Sequence, residues 1–303
     1  MKILILGSTG LIGSHLHKSA PYDGDDLYIG TYHSNTLIPD TEHIFYQVDI
    51  TDRKSLEKIF IERTPTIVIH CAAKATPDWC EKNPIESRQV NVEGTKNVLE
   101  LCRQYGSSLI FMSSNAIFDG TEAPYNEDSV PNPQDVYGSQ KWEIEQLIPS
   151  YNIPYLIIRT MCVYGNHNPH ERKNFTANLI DKCLRGETMQ ITNDVLCNFI
   201  SVDDVCAFIW NSIDRDIWNT TYHIAGDELL THWELTKYII DEFKLSSGYL
   251  TPVNQIDLVG YIKRPMNTCF DCSRSKEVGF KAMSLKNGLR KMRERANFDW
   301  RYV

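Results

Sequence analysis

The feature that most restricts the fold is a series of short apolar runs, residues 3–6, 27–31, 44–48, 66–71, 108–112 and 155–159, separated by segments of helix length. Ile3-Leu4-Ile5-Leu6, Ile67-Val68-Ile69 and Leu156-Ile157-Ile158 are apolar at every position rather than at alternate ones. A strand wetted on one face alternates, whereas a strand without polar positions must be covered on both faces. A parallel sheet with crossover helices on either side achieves this, so the expected fold is α/β, a doubly wound parallel sheet. After Tyr164 the pattern loosens: Gly165, Asn166, Asn168 and Pro169 form a loop, and helical and extended pieces then interleave. Two units are expected: residues 1–164 as the sheet domain, and residues 165–303 mainly as a smaller lobe with some segments returning to the sheet.

Composition narrows the function classes. A chain of 303 residues, 42% hydrophobic and 23% charged, buries such a core without disulfides. Its net charge of -8 argues against nucleic acid or an anionic membrane as partner, since both are met by clustered Lys and Arg. The basic run from Lys286 to Arg295 includes Glu294 and reads as the solvated face of a helix. Nine cysteines lie scattered through strand-like and helix-like segments, as reduced thiols of a cytoplasmic protein do. Cys269 and Cys272 form a C-x-x-C, but no second pair and no nearby histidine accompanies them, so no metal is expected. Residues 3–6 superficially mimic a signal peptide, yet Gly7, Gly10 and Gly13 break the apolar run, and no run reaches membrane-spanning length.

Those glycines have a better explanation. Gly7-Ser8-Thr9-Gly10-Leu11-Ile12-Gly13 directly follows the first strand and opens a helix. Gly7 and Gly10 would allow a tight turn and leave backbone N–H groups accessible to a pyrophosphate, and Gly13 would let the helix pack closely on the sheet. The segment is thus a candidate Rossmann dinucleotide turn, with Thr9, Leu11 and Ile12 among its contacts. An acid that would hold the adenosine 2′-hydroxyl is expected about 20 residues further on. There the chain reads Thr31-Tyr32-His33-Ser34-Asn35, without a carboxylate. His33 and Ser34 could instead hydrogen-bond a 2′-phosphate, so the cofactor is NADP or NAD, with NADP slightly favoured.

Tyr137 and Lys141 are four apart, which on a helix puts phenol and ammonium on one face. In a carbonyl reduction such a lysine can hold the nicotinamide ribose and lower the phenol pKa, so that the tyrosine exchanges a proton near neutral pH. Ser114 closes the fifth apolar run at the C-terminal edge, where ligands bind open α/β sheets. Asn91 lies at the start of a helix, and Cys71-Ala72-Ala73 end the fourth run with small residues that a ribose could pass closely.

Together these residues resemble the extended short-chain dehydrogenases, and more closely the dTDP-4-dehydrorhamnose reductase family. The resemblance runs over nearly the whole chain: it includes Val48-Asp49-Ile50-Thr51-Asp52, Phe118-Asp119-Gly120, Val136-Tyr137-Gly138, Val163-Tyr164-Gly165, Asn174-Phe175, Val202-Asp203-Asp204-Val205, Tyr222-His223-Ile224-Ala225-Gly226 and Arg264-Pro265-Met266-Asn267. It implies that Ser114, Tyr137 and Lys141 are catalytic. It implies that Asp49 and Ile50 meet the adenine, and that Ser114, Asn115, Asn174 and Arg264 contact substrate, Arg264 as a diphosphate clamp. The implied partners are a nucleotide-sugar substrate and a second copy in a homodimer.

Two departures concern the sugar pocket. The family pattern S-T-D-Y-V-F-D-G appears here as Ser113-Ser114-Asn115-Ala116-Ile117-Phe118-Asp119-Gly120, and R-T-S-W-V-Y-G as Arg159-Thr160-Met161-Cys162-Val163-Tyr164-Gly165. Catalysis is expected to persist with altered sugar recognition. The expected activity is reduction of a nucleotide-linked 4-keto-6-deoxy sugar by NAD(P)H. One alternative is a nucleotide-sugar epimerase, and another is a non-catalytic regulatory subunit like the β subunit of methionine adenosyltransferase. Asn115 and Ala116 supply no carboxylate for a dehydratase. Cys162 and Cys80 read as small apolar fillers, His70 as a core histidine, and Asp203 and Asp204 as helix caps.

Overall fold

The computed structural model describes residues 1–21, 26–33, 44–167, 173–258, 260, 262 and 264–295. In chain order the elements begin β1 (Lys2–Leu6), α1 (Leu11–Lys18), β2 (Leu27–Tyr32), β3 (Ile44–Gln47), α2 (Arg53–Arg63), β4 (Ile67–His70), α3 (Pro77–Lys82) and α4 (Pro84–Arg88). A π-helical turn, Gln89–Gly94, leads into α5 (Thr95–Tyr105), followed by β5 (Ser108–Ser114), α6 (Val136–Leu147), β6 (Tyr155–Thr160) and β7 (Val163–Tyr164). Then come α7 (Phe175–Leu184), β8 (Met189–Thr192), β9 (Leu196–Asn198), β10 (Ile200–Ser201), α8 (Val202–Asp214), β11 (Thr220–Ile224), β12 (Leu229–Thr231), α9 (His232–Phe243), β13 (Leu250–Val253), α10 (Ser273–Glu277) and α11 (Leu285–Arg295).

Seven parallel strands form the main sheet in the order β11-β6-β5-β4-β1-β2-β3. All six apolar runs are strands of it, and the doubly wound α/β fold is the one observed. Alternate residues of one strand serve opposite faces, as the pleat requires. Ile3, Ile5, Ile67, Ile69, Ile110 and Met112 join a core that includes Leu16 of α1 and Val205 and Ile209 of α8. Leu4, Leu6, Val68, Leu109 and Phe111 join the core on the other side, with Leu56 of α2, Val98 of α5 and Ile144 of α6. Each such side chain removed from water contributes about 1.5–3 kcal/mol, which sets the strand register firmly.

The strand order reverses direction between β1 and β4, which pair Leu6 with His70. Crevices open at such a reversal beyond the C-terminal strand ends. At the same edge Ser114 of β5 lies opposite Thr160 of β6. Segments beyond residue 165 return here: β11 adds to β6, and α8 packs on α1, where Trp210 donates to Ser19 Oγ at 3.1 Å. Other late segments build a further core from Leu179, Ile180, Leu235, Ile239, Leu289 and Met292, which reaches Phe118 and Tyr164.

The expectation that Asp203 and Asp204 cap a helix is corrected. Ser201 caps α8, accepting from Asp203 N at 3.2 Å, and the two aspartates lie in its first turn. Asp203 instead pairs with Lys291 and Arg295 of α11, and Asp204 accepts from Met283 N at 3.0 Å. The basic run is therefore tied down on one side, while its apolar residues Leu289 and Met292 are buried. All nine cysteines are free thiols. Among the described residues no helix is long and apolar enough to cross a membrane.

Candidate active site

The turn after β1 is built by close approach. Gly7 has φ +81°, and a Cβ there would stand 2.8 Å from the Ala72 backbone. A Cβ on Gly13 would stand 2.3 Å from Gly7 O, so only glycine lets α1 begin this near the strand. Ser8 fixes the turn to β2: its Oγ donates to Ile5 O at 2.8 Å and accepts from Thr31 N at 3.1 Å. Gly10 differs, because a Cβ there meets only Gly7 O, at 3.4 Å. It is the N-cap of α1 without a side-chain cap, and the first helical turn holds no acid. This exposed glycine, with the N–H groups of Leu11 and Ile12 in the first turn of α1 behind it, leaves a cradle suited to a pyrophosphate. Thr9 is half-buried beside it.

At the end of β2, exposed His33 lies 3.3 Å from Asp49, which follows β3. Asp49 Oδ1 accepts from Thr51 N and Oγ1 at 2.9 and 2.8 Å, leaving its other oxygen to His33. A carboxylate thus does stand next to the expected ribose end, supplied by the neighbouring strand. Ser34 lies outside the described residues. Ile50 is buried, and Gly94 is where it is because a Cβ would meet Ile50 Cγ1 at 2.7 Å. Cys71, Ala72 and Ala73 leave β4 with Cys71 N bonded to Leu6 O at 3.0 Å, directly beneath the glycine turn.

Asn91 sits in the π-helical turn and is buried. Its Oδ1 accepts from Lys74 N at 2.7 Å, and its Nδ2 donates to Lys74 O at 3.1 Å and Gln140 Oε1 at 2.8 Å. The amide therefore clamps the loop after β4 to α6 and positions that loop. Gln140 completes the clamp by donating to Ser87 at 2.9 Å, a link the sequence analysis missed.

Tyr137 and Lys141 share one face of α6, with Lys141 Nζ 5.8 Å from the Tyr137 ring. Asp135 caps the helix by accepting from Gly138 N at 2.7 Å. Lys141 is 5% exposed, its Nζ donates to Met112 O at 2.7 Å, and it lies 4.5 Å from the Phe111 ring. Burial pushes its pKa down to about 8. Ser114 Oγ donates to Asn115 Oδ1 at 3.2 Å and accepts from Ala116 N at 3.2 Å. Ser114, Tyr137 and Lys141 therefore stand at one sheet edge, between the glycine turn and the residues after β6.

Behind them lies a buried ionic cluster that sequence reasoning did not identify. Arg159 of β6 binds Glu145 of α6 at 2.7 Å, donates to Glu127 O at 3.3 Å and lies 3.1 Å from His223 Nε2. Glu145 also accepts from Ser113, the neighbour of Ser114. Burial and the Arg159 charge push His223 down to about 3, so it is a neutral partner. An arginine at the end of an otherwise apolar strand was the available signal, since such a charge requires a buried counter-charge.

The four substrate candidates are placed differently. Asn115 Nδ2 donates to Thr268 at 2.6 Å, joining the sheet edge to a late segment. Arg264 binds Asp78 of α3 at 2.7 Å and is 45% exposed, so its guanidinium retains an open side. Asn174 caps α7, accepting from Ala177 N at 3.1 Å while donating to Gly165 O at 2.8 Å; its amide is committed to the backbone. Cys80 is fully buried against Lys74 O, and burial raises its pKa. His70 makes one bond, to Thr95 at 2.9 Å, and burial lowers it to about 3.

Comparison with known proteins supplies a second line of observation. The family model described as "RmlD substrate binding domain" matches residues 1–298. The chain is 30% identical to "Methionine adenosyltransferase 2 subunit beta" of Xenopus tropicalis, over 92% of this chain and 82% of that protein. It is 26% identical to "Probable low-salt glycan biosynthesis reductase Agl14" of Haloferax volcanii, over 95% of this chain and 96% of that one. A dTDP-4-dehydrorhamnose reductase from Bacillus anthracis, crystallised with NADP, superposes with TM-score 0.82 at 24% identity, over 97% and 98% of the two chains. That last likeness shows the fold alone.

Proposed function

The chain belongs to the family defined by the RmlD substrate binding domain, within the extended short-chain dehydrogenases, and from that premise we propose that it is an NAD(P)H-dependent reductase of a nucleotide-linked 4-keto-6-deoxy sugar. The observation that carries this is Lys141: a lysine taken out of water, on one helical face with Tyr137, at the sheet edge that also presents Ser114 and the uncapped glycine turn. Burying an ammonium costs several kcal/mol, and groups held at such a cost cluster at functional sites.

The glycine turn fits a dinucleotide, because the Gly10 cradle is one that a side chain would fill. Residues 1–164 would hold the cofactor. Leu11 and Ile12 N–H groups would meet the pyrophosphate, Cys71 to Ala73 the ribose, and Asp49 with Ile50 the adenine. His33 and Asp49 stand together at that corner, where the imidazole could hydrogen-bond a 2′-phosphate and the carboxylate a 2′-hydroxyl, so NADP and NAD both remain in the proposal. When bound, the nicotinamide supplies a hydride to the carbonyl carbon of the sugar. Tyr137 Oη donates its proton to the carbonyl oxygen. Lys141 makes that phenol more acidic by its charge and hydrogen-bonds the ribose, and Ser114 Oγ turns from Asn115 to orient the oxygen. The late segments, 165–303, would hold the nucleotide sugar, with the open side of Arg264 toward its diphosphate.

Mixing the protein with NADPH or NADH and a panel of 4-keto nucleotide sugars, while following nicotinamide absorbance, tests the proposal. Turnover with at least one sugar is expected. A second reading is favoured by the relatives named as subunit beta of methionine adenosyltransferase: a cofactor-binding regulatory subunit. Absence of turnover across the panel, with tight NADP binding and a stable complex with a methionine adenosyltransferase catalytic chain, would support that alternative.

A further inference from the structure

Cys162, Cys197 and His232 come from three separate elements. Cys162 lies between β6 and β7, Cys197 lies on β9, and His232 opens α9. One ligand atom from each, two Sγ and an imidazole nitrogen, lie within 4.8 Å of one another. We propose that these three side chains form a binding site for a borderline-soft divalent cation, zinc in the first instance.

The donor set is the first argument. Two thiolates and one neutral imidazole match zinc in softness, cancel its charge, and leave one tetrahedral position for water or another ligand. Around zinc such atoms sit about 3.4–3.8 Å apart, given bonds of about 2.0–2.3 Å. The observed spacing reaches this by sub-ångström movement of side chains. A second, independent observation is the histidine itself: its Nδ1 is buried and has no hydrogen-bond partner among the described residues. Phe175 and Phe199 pack edge-on against the ring at 4.7 and 5.1 Å, giving the apolar surround that strengthens metal bonds. Cys162 holds φ +47°, a conformation costing a non-glycine residue about 1–2 kcal/mol, which a metal bond would offset.

The positions are also mutually supported. Cys197 pairs with Leu230, next to Thr231, which caps α9 in a capping box with Glu234, so the ladder fixes Cys197 relative to His232. Cys162 and His232 are only part-buried, which leaves an approach for the ion. Bound metal would tie the turn after β6 to the start of α9, beside the Thr268–Asn115 link. It would do so whichever reaction the sheet edge performs.

The test uses the full chain, reduced with a phosphine, stripped with a chelator, and titrated with Co²⁺. One Co²⁺ per chain is expected, with thiolate-to-cobalt charge-transfer absorption and the d–d bands of tetrahedral cobalt, both displaced by Zn²⁺. Cys162→Ser and His232→Gln should each weaken binding at least roughly a hundredfold, since even supporting shells account for 10–100-fold. Cys102→Ala, in the separate core behind the sheet, should leave the spectrum unchanged. If a variant fails to fold, zinc K-edge absorption of the wild-type protein gives the same answer, with two sulfurs and one nitrogen expected. The proposal is overturned if fully reduced wild-type protein gives no charge-transfer band. Loss of the band in Cys102→Ala, with the band kept in Cys162→Ser, also overturns it.

Discussion

Replacing Lys141 with methionine separates what the lysine costs the fold from what it contributes to chemistry. In the unfolded chain the ammonium keeps its proton to its ordinary value of 10.5, whereas burial in the folded protein brings this down to about 8. The difference is worth about 3 kcal/mol at about 1.4 kcal/mol per pH unit. The unfolded state binds more protons between those values, so this contribution to stability is fully present above 10.5 and is lost as pH falls through 8. Methionine has similar length and no proton to exchange. At pH 7 the variant should be as stable as wild type or more so: it sheds the buried charge, although it also loses the charge-assisted bond to Met112 O, about 1.5–3 kcal/mol. Urea unfolding of the cofactor-free proteins at several pH values from 7 to 10 checks this. Wild type should gain on Lys141→Met steadily above pH 8, while the variant has lost turnover and nicotinamide affinity at every pH. A stability gap that stays level across that range would refute the buried-ammonium argument.

Tyr137→Phe should keep cofactor affinity within a few-fold and lower turnover by roughly two to four powers of ten, as loss of a positioned general acid does; wild-type turnover in a coupled absorbance assay would remove Tyr137 from the reaction. Gly10→Val should abolish dinucleotide binding by calorimetry with little change in melting temperature, whereas Gly13→Ala, with its Cβ 2.3 Å from Gly7 O, should destabilise by about 1–3 kcal/mol. Arg264→Ala should raise the KM for the nucleotide sugar roughly tenfold and leave cofactor affinity alone. An equal loss of both would show that its bond to Asp78 matters more than any diphosphate contact.

Where the sequence was legible, it was because burial leaves a periodic or compositional mark. Ile3 to Leu6 could only be a strand covered on both faces, and Gly7 and Gly13 marked a turn that no other residue fits. Tyr137 and Lys141 were readable as a pair because helical spacing makes them neighbours. Polar groups that act across long separations left no such mark. Arg159 signalled a buried counter-charge, but Glu145 looks like an ordinary surface charge until α6 is laid against β6. Asn174 and Asn91 were expected at ligands; the Asn174 amide holds the backbone of Gly165 and Ala177, and that of Asn91 holds the Lys74 backbone and Gln140, links no spacing rule reveals. A carboxylate, Asp49, does stand beside the end of β2, because β3 pairs alongside β2 and brings its own end to the same corner.

The substitutions that set this chain apart from the reductases lie in contact with the parts that look unchanged. Ala116, where those proteins carry tyrosine, follows Ser114 by two residues, and its backbone packs against α6 so closely that a Cβ on Gly138 would stand 2.0 Å from Ala116 O. That contact involves main chain only, so the ring could be lost without moving Tyr137 or Ser114. Cys162, in place of tryptophan, is likewise two residues beyond Thr160, which β5 holds through its pairing with Ser114. Two large rings can therefore leave the pocket wall while the sheet edge behind it keeps its register. Their stacking area and shape selectivity go with them. If the proposed reduction is the activity, selection among sugars would then rest on the late segments, Arg264 among them, and only weakly on the strand ends that carry the proposed chemistry.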